Sequence, residues 1–464
     1  MIRRITADPT THQATPMANA NPSSHLFYQT RLRRPVLDRA KGVHMWDTSG
    51  KCYLDGSSGA MVCNIGHSNP RVLAAMRAQM EKATFGYRLH FETEPAERLA
   101  TRSAELMPPG LNKLFFVSGG SEAVESAIKL ARQYALAIGE PQRYKIISRY
   151  PSYHGSTLGA LGATGYTPMT APFAPMIVES PHIASPTAYL DQSGEDESTL
   201  GRRYADLLEA EIRRQGEETV LAFIVEPIGG ASTGALVPPV GYMERISEIC
   251  SRYGVLLIYD EVMTGGGRTG RFLAAEHWQA TPDIVVLSKG YAAGYMPLGG
   301  MAARDDMVEA VLGQGGFIHG YTYAGNPLAC ATGLAVINEI FEQDLMENCQ
   351  RIGGRLKNEL RLLMDDYAFI GDVRGMGLLL AFELVSDRTT MAPLPPKLNA
   401  FSTLVDLAYD AGLIIYSRRT RGGLEGDHFL VCPPMISTAA HIDEIMQKLR
   451  CALDRFAEIA GLDK

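Results

Sequence analysis

Between residues 113 and 290 the chain alternates short, almost wholly apolar runs with longer segments whose apolar positions recur every three or four residues. The apolar runs predict strands at 114–117, 145–148, 176–178, 221–225, 255–259 and 284–287. A strand that is apolar at nearly every position is covered on both faces, as in a parallel sheet flanked by helices. Residues 122–136, 205–215 and 242–253 carry helical spacing between them. Such alternation predicts an α/β, doubly wound architecture. The polar stretch 185–201 predicts a surface excursion. From about Gly333 onward, long helical patterns and a Pro-rich break at 393–396 predict a smaller α+β lobe. The hairpin-like run from Met45 to Gly56 joins that lobe from the N-terminal side. The expected division is a flexible tail over 1–25, the N-terminal part of a small domain over 26–75, a large domain over 76–330, and the C-terminal small domain over 331–464.

Composition narrows the function without naming it. With 464 residues, 46% hydrophobic and 20% charged, the chain can bury a large core and is not a disordered protein. Its 44 basic and 51 acidic residues leave a net charge of −7, which gives no basic footprint for nucleic acid. No run approaches ~18 apolar residues, so no membrane span is expected. No repeat of about 20–50 residues appears, which excludes solenoids and propellers. The 7 cysteines are odd in number and form no CxxC pair, arguing against a disulfide framework and a structural zinc site. Reduced thiols in the cytoplasm are the expectation. The first 25 residues lack the apolar core of a secretory signal. Arg3 and Arg4 suit a transit peptide, but Asp8 and the missing amphipathic repeat oppose one.

Three segments carry candidate chemistry. Phe115-Phe116-Val117-Ser118-Gly119-Gly120-Ser121-Glu122 runs from a strand through glycines into a helix. Glycines let backbone approach an anion, and a helix start offers free N–H groups with a favourable dipole. A tight turn capped by Ser121 would explain the same residues without a ligand. Gly265-Gly266-Gly267-Arg268-Thr269-Gly270 matches a dinucleotide fingerprint in form. That reading needs an acid at the end of the next strand, whereas Asp283 precedes residues 284–287 and Lys289 follows them.

The third is an acid and a lysine closing two apolar strands. Residues 255–259 end in Asp260, and 284–287 lead through Ser288 to Lys289. If the strands are parallel, both groups emerge at the carboxyl edge, where open α/β sheets place their ligands. Desolvation would lower the lysine pKa and free its amine as a nucleophile. A nearby carboxylate can hold a heteroaromatic nitrogen protonated. An amine, a pyridinium partner and an anion cradle are what pyridoxal phosphate needs. Taken alone, Asp260 and Lys289 would read as a structural salt bridge.

At this point the sequence resembles the class III pyridoxal-phosphate aminotransferases, the ω-aminotransferase group, from about Arg34 to Leu449. The carrying segments are SGGSEAVESAIKLAR, YPSYHGST, FIVEPIGG, LLIYDEVMTGGGRTG, DIVVLSKG, YTYAGNPLACATGLA and VCPPMIST. The resemblance implies a fold-type I homodimer with active sites at the subunit boundary and pyridoxal 5'-phosphate as cofactor. By position, it makes Lys289 the internal-aldimine lysine and Asp260 the partner of the ring nitrogen. Gly120 and Ser121 would hold the phosphate, Tyr153 would stack on one ring face and Val262 would pack on the other. Glu226 would join the hydrogen bonds beside the cofactor, and Thr322 would reach the phosphate of the neighbouring subunit.

Tyr153 also fits plain core packing, His154 fits a structural role as well as a functional one, and Thr322 fits a turn hydroxyl. Arg268 fits a brace for its loop better than a substrate contact. Gly119 stands where many relatives carry Ser, Met263 where many 2-oxoglutarate users have Gln, and Met61 where amine-accepting relatives are often aromatic. These departures bear on substrate more than on reaction.

The expected activity moves an amino group from an amine or ω-amino acid to a keto acid, with pyruvate as acceptor, Lys289 serving as base and then acid. Among Arg418, Arg419 and Arg421, the choice for a substrate carboxylate falls on Arg421, because it adjoins the glycines at 422 and 423. No metal is expected. A same-fold aminomutase, racemase or decarboxylase is the competing reading. A catalytically silent ligand-binding protein is opposed by the presence of Lys289 and Asp260, and a nicotinamide dehydrogenase by the strand polarity.

Overall fold

The computed structural model describes residues 24–463, and the tail expected over 1–25 lies, but for its last two residues, outside them. A seven-stranded sheet forms the large lobe. Its order is Lys113–Val117, Gly299–Ala303, Ile284–Leu287, Leu256–Asp260, Val220–Val225, Lys145–Tyr150 and His182–Ala184. The last five are mutually parallel; Gly299–Ala303 runs antiparallel to both its neighbours.

Unbroken apolar runs make these strands because successive side chains leave opposite faces of a sheet and both faces are covered. Phe223, Val225, Leu257, Tyr259 and Val285 enter one core, while Ala222, Ile224, Ile258, Ile284 and Val286 enter the other. Helix Gly120–Ala137 covers the second face with Ala123, Ala127, Leu130 and Ala131. Helix Tyr242–Tyr253 covers the first with Tyr242, Met243, Ile246 and Ile249, and stops at Gly254 in the left-handed region at φ +62.

Two local expectations need correction. Residues 176–178 are not a strand: Ala171–Met176 is a 3-10 turn and the strand lies at His182–Ala184. Pro172 and Pro175 lack N–H groups, and Val178 is 92% exposed, so this run neither pairs nor packs. The excursion placed at 185–201 ends early, because helix Glu197–Gln215 starts inside it. Its Asp196 side chain accepts from the Ser198 and Thr199 amides at the helix start. The strand Gly299–Ala303 was absent from the apolar pattern because it opens on two glycines. A Cβ at Gly299 would stand 2.6 Å from the Gly119 carbonyl, so the strand trades propensity for close approach to the turn before Gly120.

The small lobe draws on both ends of the chain. His44–Asp47 pairs antiparallel with Cys52–Asp55, forming the hairpin, and Cys52–Asp55 pairs in parallel with Leu413–Ile414. A second sheet orders Ile370–Met376, Leu379–Asp387, Glu425–Val431 and Tyr416–Arg421, with Ala392–Pro393 beside Leu379–Asp387. One core joins Val43, Leu54, Ile65 and Val72 to Leu356, Leu404, Phe429 and Leu453.

Ile224 is fully buried in Val220–Val225, an interior strand of the large sheet. Ile224→Ala is expected to destabilise the fold by about 2–5 kcal/mol in urea unfolding. A loss near zero would contradict close packing on that face.

Candidate active site

Asp260 is the last residue of Leu256–Asp260, and in register it faces Val286 of the adjacent parallel strand. Two residues beyond that strand's end comes Lys289, at φ +47, a left-handed backbone that a non-glycine residue adopts at a cost of about 1–3 kcal/mol. Neighbouring parallel strands thus deliver both groups to one edge. A single cavity of about 140 Å³ is lined by Lys289, Asp260, Glu226, Tyr153, His154, Val262, Gly120 and Ser121, together with Gly155, Ile228, Met263 and Ser288. Seven of these were singled out from the sequence as cofactor-site residues. His154 was weighed evenly, and Ile228 carried no polar signal to mark it.

Electrostatics inside the cavity are set by burial. The Lys289 ammonium is pushed down by desolvation, against the upward pull of Asp260 and Glu226. The Glu226 carboxyl is pushed up by burial, with His154 and Arg149 pulling the other way. Its Oε1 accepts from the Gly230 amide at 2.9 Å and its Oε2 from the Tyr153 amide at 3.3 Å. Arg149, fully buried on Lys145–Tyr150, donates to the Glu226 carbonyl at 2.6 Å. His154 Nδ1 donates to Asp260 Oδ2 at 2.8 Å, and the Val262 amide donates to Asp260 Oδ1 at 3.1 Å. A buried carboxylate with two such donors is oriented and compensated.

The anion cradle is built from backbone. Helix Gly120–Ala137 begins after Gly119 with no side-chain cap, so its first-turn N–H groups have no intrahelical acceptor. Ser121 Oγ accepts from the Ser156 amide at 3.0 Å, which ties the loop carrying Tyr153 to the helix start. A Cβ on Gly120 would meet Val262 Cγ1 at 2.9 Å, so glycine is required where the helix opens onto the cavity.

Two predicted residues lie outside the cavity. Thr322 is exposed, in the turn before helix Pro327–Glu342. Arg421 does not line the cavity and donates to the Met391 carbonyl. Arg419 pairs with Asp427 at 2.8 Å. Arg418 instead lies 4.6 Å over the Tyr416 ring. Arg268 is a brace: fully buried, it donates to Asn64 Oδ1, the Cys432 carbonyl and the Pro433 carbonyl at 2.5, 3.2 and 2.7 Å. The glycine-rich loop around it is therefore structural. Among the described residues one group, Asp55, Cys63 and His67, brings metal-ligand atoms together. Its carboxylate is already engaged by His67 at 2.9 Å and by the Ser57 and Gly59 amides.

Fold and site together define an enzyme of the fold-type I transaminase class. The chain belongs to the family Aminotransferase class-III, whose model matches residues 28–453. It is 40% identical over 416 residues to the uncharacterized aminotransferase YodT of Bacillus subtilis (89% of this chain, 93% of that protein). To the putrescine–pyruvate aminotransferase of Pseudomonas aeruginosa it is 34% identical, over 91% of each chain. In structure it is similar to an (S)-enantioselective ω-transaminase from Thermomicrobium roseum. The TM-score there is 0.87 at 37% identity, covering 93% of this chain and 96% of that one. The ω-transaminase of Pseudomonas jessenii in complex with PMP gives 0.88 at 31% identity, covering 94% and 97%. Among the described residues no helix is long and apolar enough to cross a membrane.

Glu261, beside Asp260, is fully buried and accepts from Thr264 and from the Ala274 and Ala275 amides, at 3.0 and 2.7 Å for the amides. Burial pushes its carboxyl up to about 7 from 4.5. The folded state then binds more protons than the unfolded one between those values, so this group's contribution to stability falls as pH rises through that window. The stability advantage of wild type over Glu261→Gln is expected to narrow between pH 4.5 and about 7, read from urea midpoints. A gap that widens with pH would contradict this.

Proposed function

We propose that this aminotransferase uses pyridoxal 5'-phosphate to move an amino group from an amine or ω-amino acid to a keto acid, with pyruvate as the acceptor. The observation that carries the reading is one cavity holding a desolvated lysine amine, an oriented buried carboxylate and an uncapped helix start. Those three features fit the coenzyme's aldehyde, ring nitrogen and phosphate. When bound, the coenzyme supplies an electron-withdrawing ring and an aldehyde carbon that holds the amino group between the two substrates.

Lys289 provides the amine that meets that carbon. With its pKa lowered by burial, its Nζ would take the proton from the substrate carbon as base and return it to the coenzyme's aldehyde carbon as acid. Asp260, oriented by His154 and the Val262 amide, keeps the ring nitrogen protonated. Gly120 and Ser121 receive the phosphate at the helix start. Tyr153 and Val262 flank the ring, and Glu226 stands beside it. Thr322 serves the phosphate of a second copy in a homodimer, a role its exposure suits. Exposed Leu89, Phe91, Ile318 and Tyr323 suit burial between two copies.

Substrate class follows from the walls. Among the described residues Lys289 is the only Lys or Arg lining the cavity, and Ile228, Val262 and Met263 are apolar. A second carboxylate on the acceptor would find no fixed partner there, which favours a monocarboxylate such as pyruvate over 2-oxoglutarate. Seven unpaired cysteines favour the cytoplasm.

Purified protein is expected to transfer amino groups from a panel of amines to pyruvate faster than to 2-oxoglutarate. Lys289→Ala is expected to lose at least ~100-fold in rate. Turnover of substrate with no keto acid present would favour the aminomutase, racemase or decarboxylase reading. Wild-type transfer by Lys289→Ala would overturn the proposal.

A further inference from the structure

A buried charge cluster in the small lobe lines no part of the cavity, yet it is wired to the loop that forms one cavity wall. Four neighbouring strands each contribute one side chain. These are Arg374 from Ile370–Met376, Glu383 from Leu379–Asp387, His428 from Glu425–Val431 and Thr420 from Tyr416–Arg421. None of the four is more than 8% exposed. Arg374 donates to Glu383 Oε2 at 2.7 Å and lies 4.2 Å over the Tyr189 ring, whose hydroxyl donates to the same oxygen at 2.8 Å.

Besides Tyr189 and Asp372, which pairs with Arg374 at 2.7 Å, the cluster holds two carbonyls of the loop that follows Glu226. His428 Nε2 donates to the Ala231 carbonyl at 2.8 Å. Arg374 donates to the Thr233 carbonyl at 3.0 Å. A carbonyl only accepts, so Nε2 carries a proton; His428 Nδ1 is then the acceptor of the Thr420 hydroxyl at 2.8 Å. Burial and the Arg374 charge push the imidazole down to about 3, which keeps this neutral arrangement in place. The loop's other end is tied to the cavity, since the Gly230 amide donates to Glu226 Oε1. A Cβ on Gly230 would stand 2.9 Å from Met263 Sδ, and one on Gly234 would stand 2.7 Å from His428. The loop is therefore packed between the cavity wall and the cluster without slack.

We propose that His428 and Arg374 are positioning residues, which set the wall formed by Glu226, Ile228 and Met263 by holding the Ala231 and Thr233 carbonyls. They touch neither substrate nor cofactor. The effect falls on how tightly a substrate is held against that wall. The assignment of substrate effects rests on the proposed function above; the mechanical link does not.

The test compares His428→Gln with His428→Asn. Glutamine can place an amide nitrogen near the Nε2 position and donate to Ala231; asparagine is too short. Backbone hydrogen exchange over residues 227–237, measured on the protein without substrate, is expected to speed up in His428→Asn and stay near wild type in His428→Gln. In the amine–pyruvate assay His428→Asn is expected to raise KM for the amine about tenfold (about 1.4 kcal/mol), more than it lowers kcat, with His428→Gln restoring it. Unchanged exchange over 227–237 in His428→Asn would overturn the proposal. So would equal effects of the two variants, or exchange that speeds up across the whole small lobe. A wild-type protein with no amino transfer would sink the functional reading, while the exchange comparison would still decide the mechanical one.

Discussion

A lysine ammonium out of water is held at the edge of the large sheet, and the rest of the site is arranged around the cost of putting it there. Desolvation alone would drive Lys289 to the neutral amine; Asp260 and Glu226 pull the other way. Burial lowers its pKa and the two carboxyl groups raise it, so their balance sets how readily the amine gives up or takes a proton. Two parallel strands make that balance possible. Leu256–Asp260 and Ile284–Leu287 are paired neighbours, so their carboxyl ends deliver acid and amine to the same place without a long loop. The left-handed backbone at Lys289 is the local strain accepted for that delivery.

Each carboxylate in the site is held by a different kind of donor. Asp260 is held by an imidazole and a backbone amide, Glu226 by two backbone amides with Arg149 beneath it. The first arrangement orients a charge toward the cavity; the second anchors a loop. Between the lobes, the terminal nitrogens of the fully buried Arg268 guanidinium donate to carbonyls and to Asn64. The glycine-rich motif around Arg268 therefore bridges lobes.

Much of the site was legible in the sequence because its residues interrupt strong patterns. An acid or a lysine at the end of an unbroken apolar strand, as at Asp260 and Lys289, is visible from periodicity alone. The resemblance added Tyr153, Val262 and Glu226, which have no local signature. What stayed hidden depends on tertiary placement. His154 gains its meaning only from the 2.8 Å bond to Asp260, more than a hundred residues away in the chain. Arg421 is marked in the sequence by Gly422 and Gly423, while its bond to the Met391 carbonyl appears only in the fold. Gly299–Ala303 escaped because small residues chosen for close approach carry no strand propensity.

The most direct measurement is chemical trapping of the coenzyme on the protein. Wild-type protein incubated with pyridoxal 5'-phosphate, reduced with borohydride, digested and sequenced by mass spectrometry is expected to carry the pyridoxyl group on Lys289. Labelling confined to some other lysine, or none at all, would contradict the role given to this residue and with it the arrangement of the whole cavity.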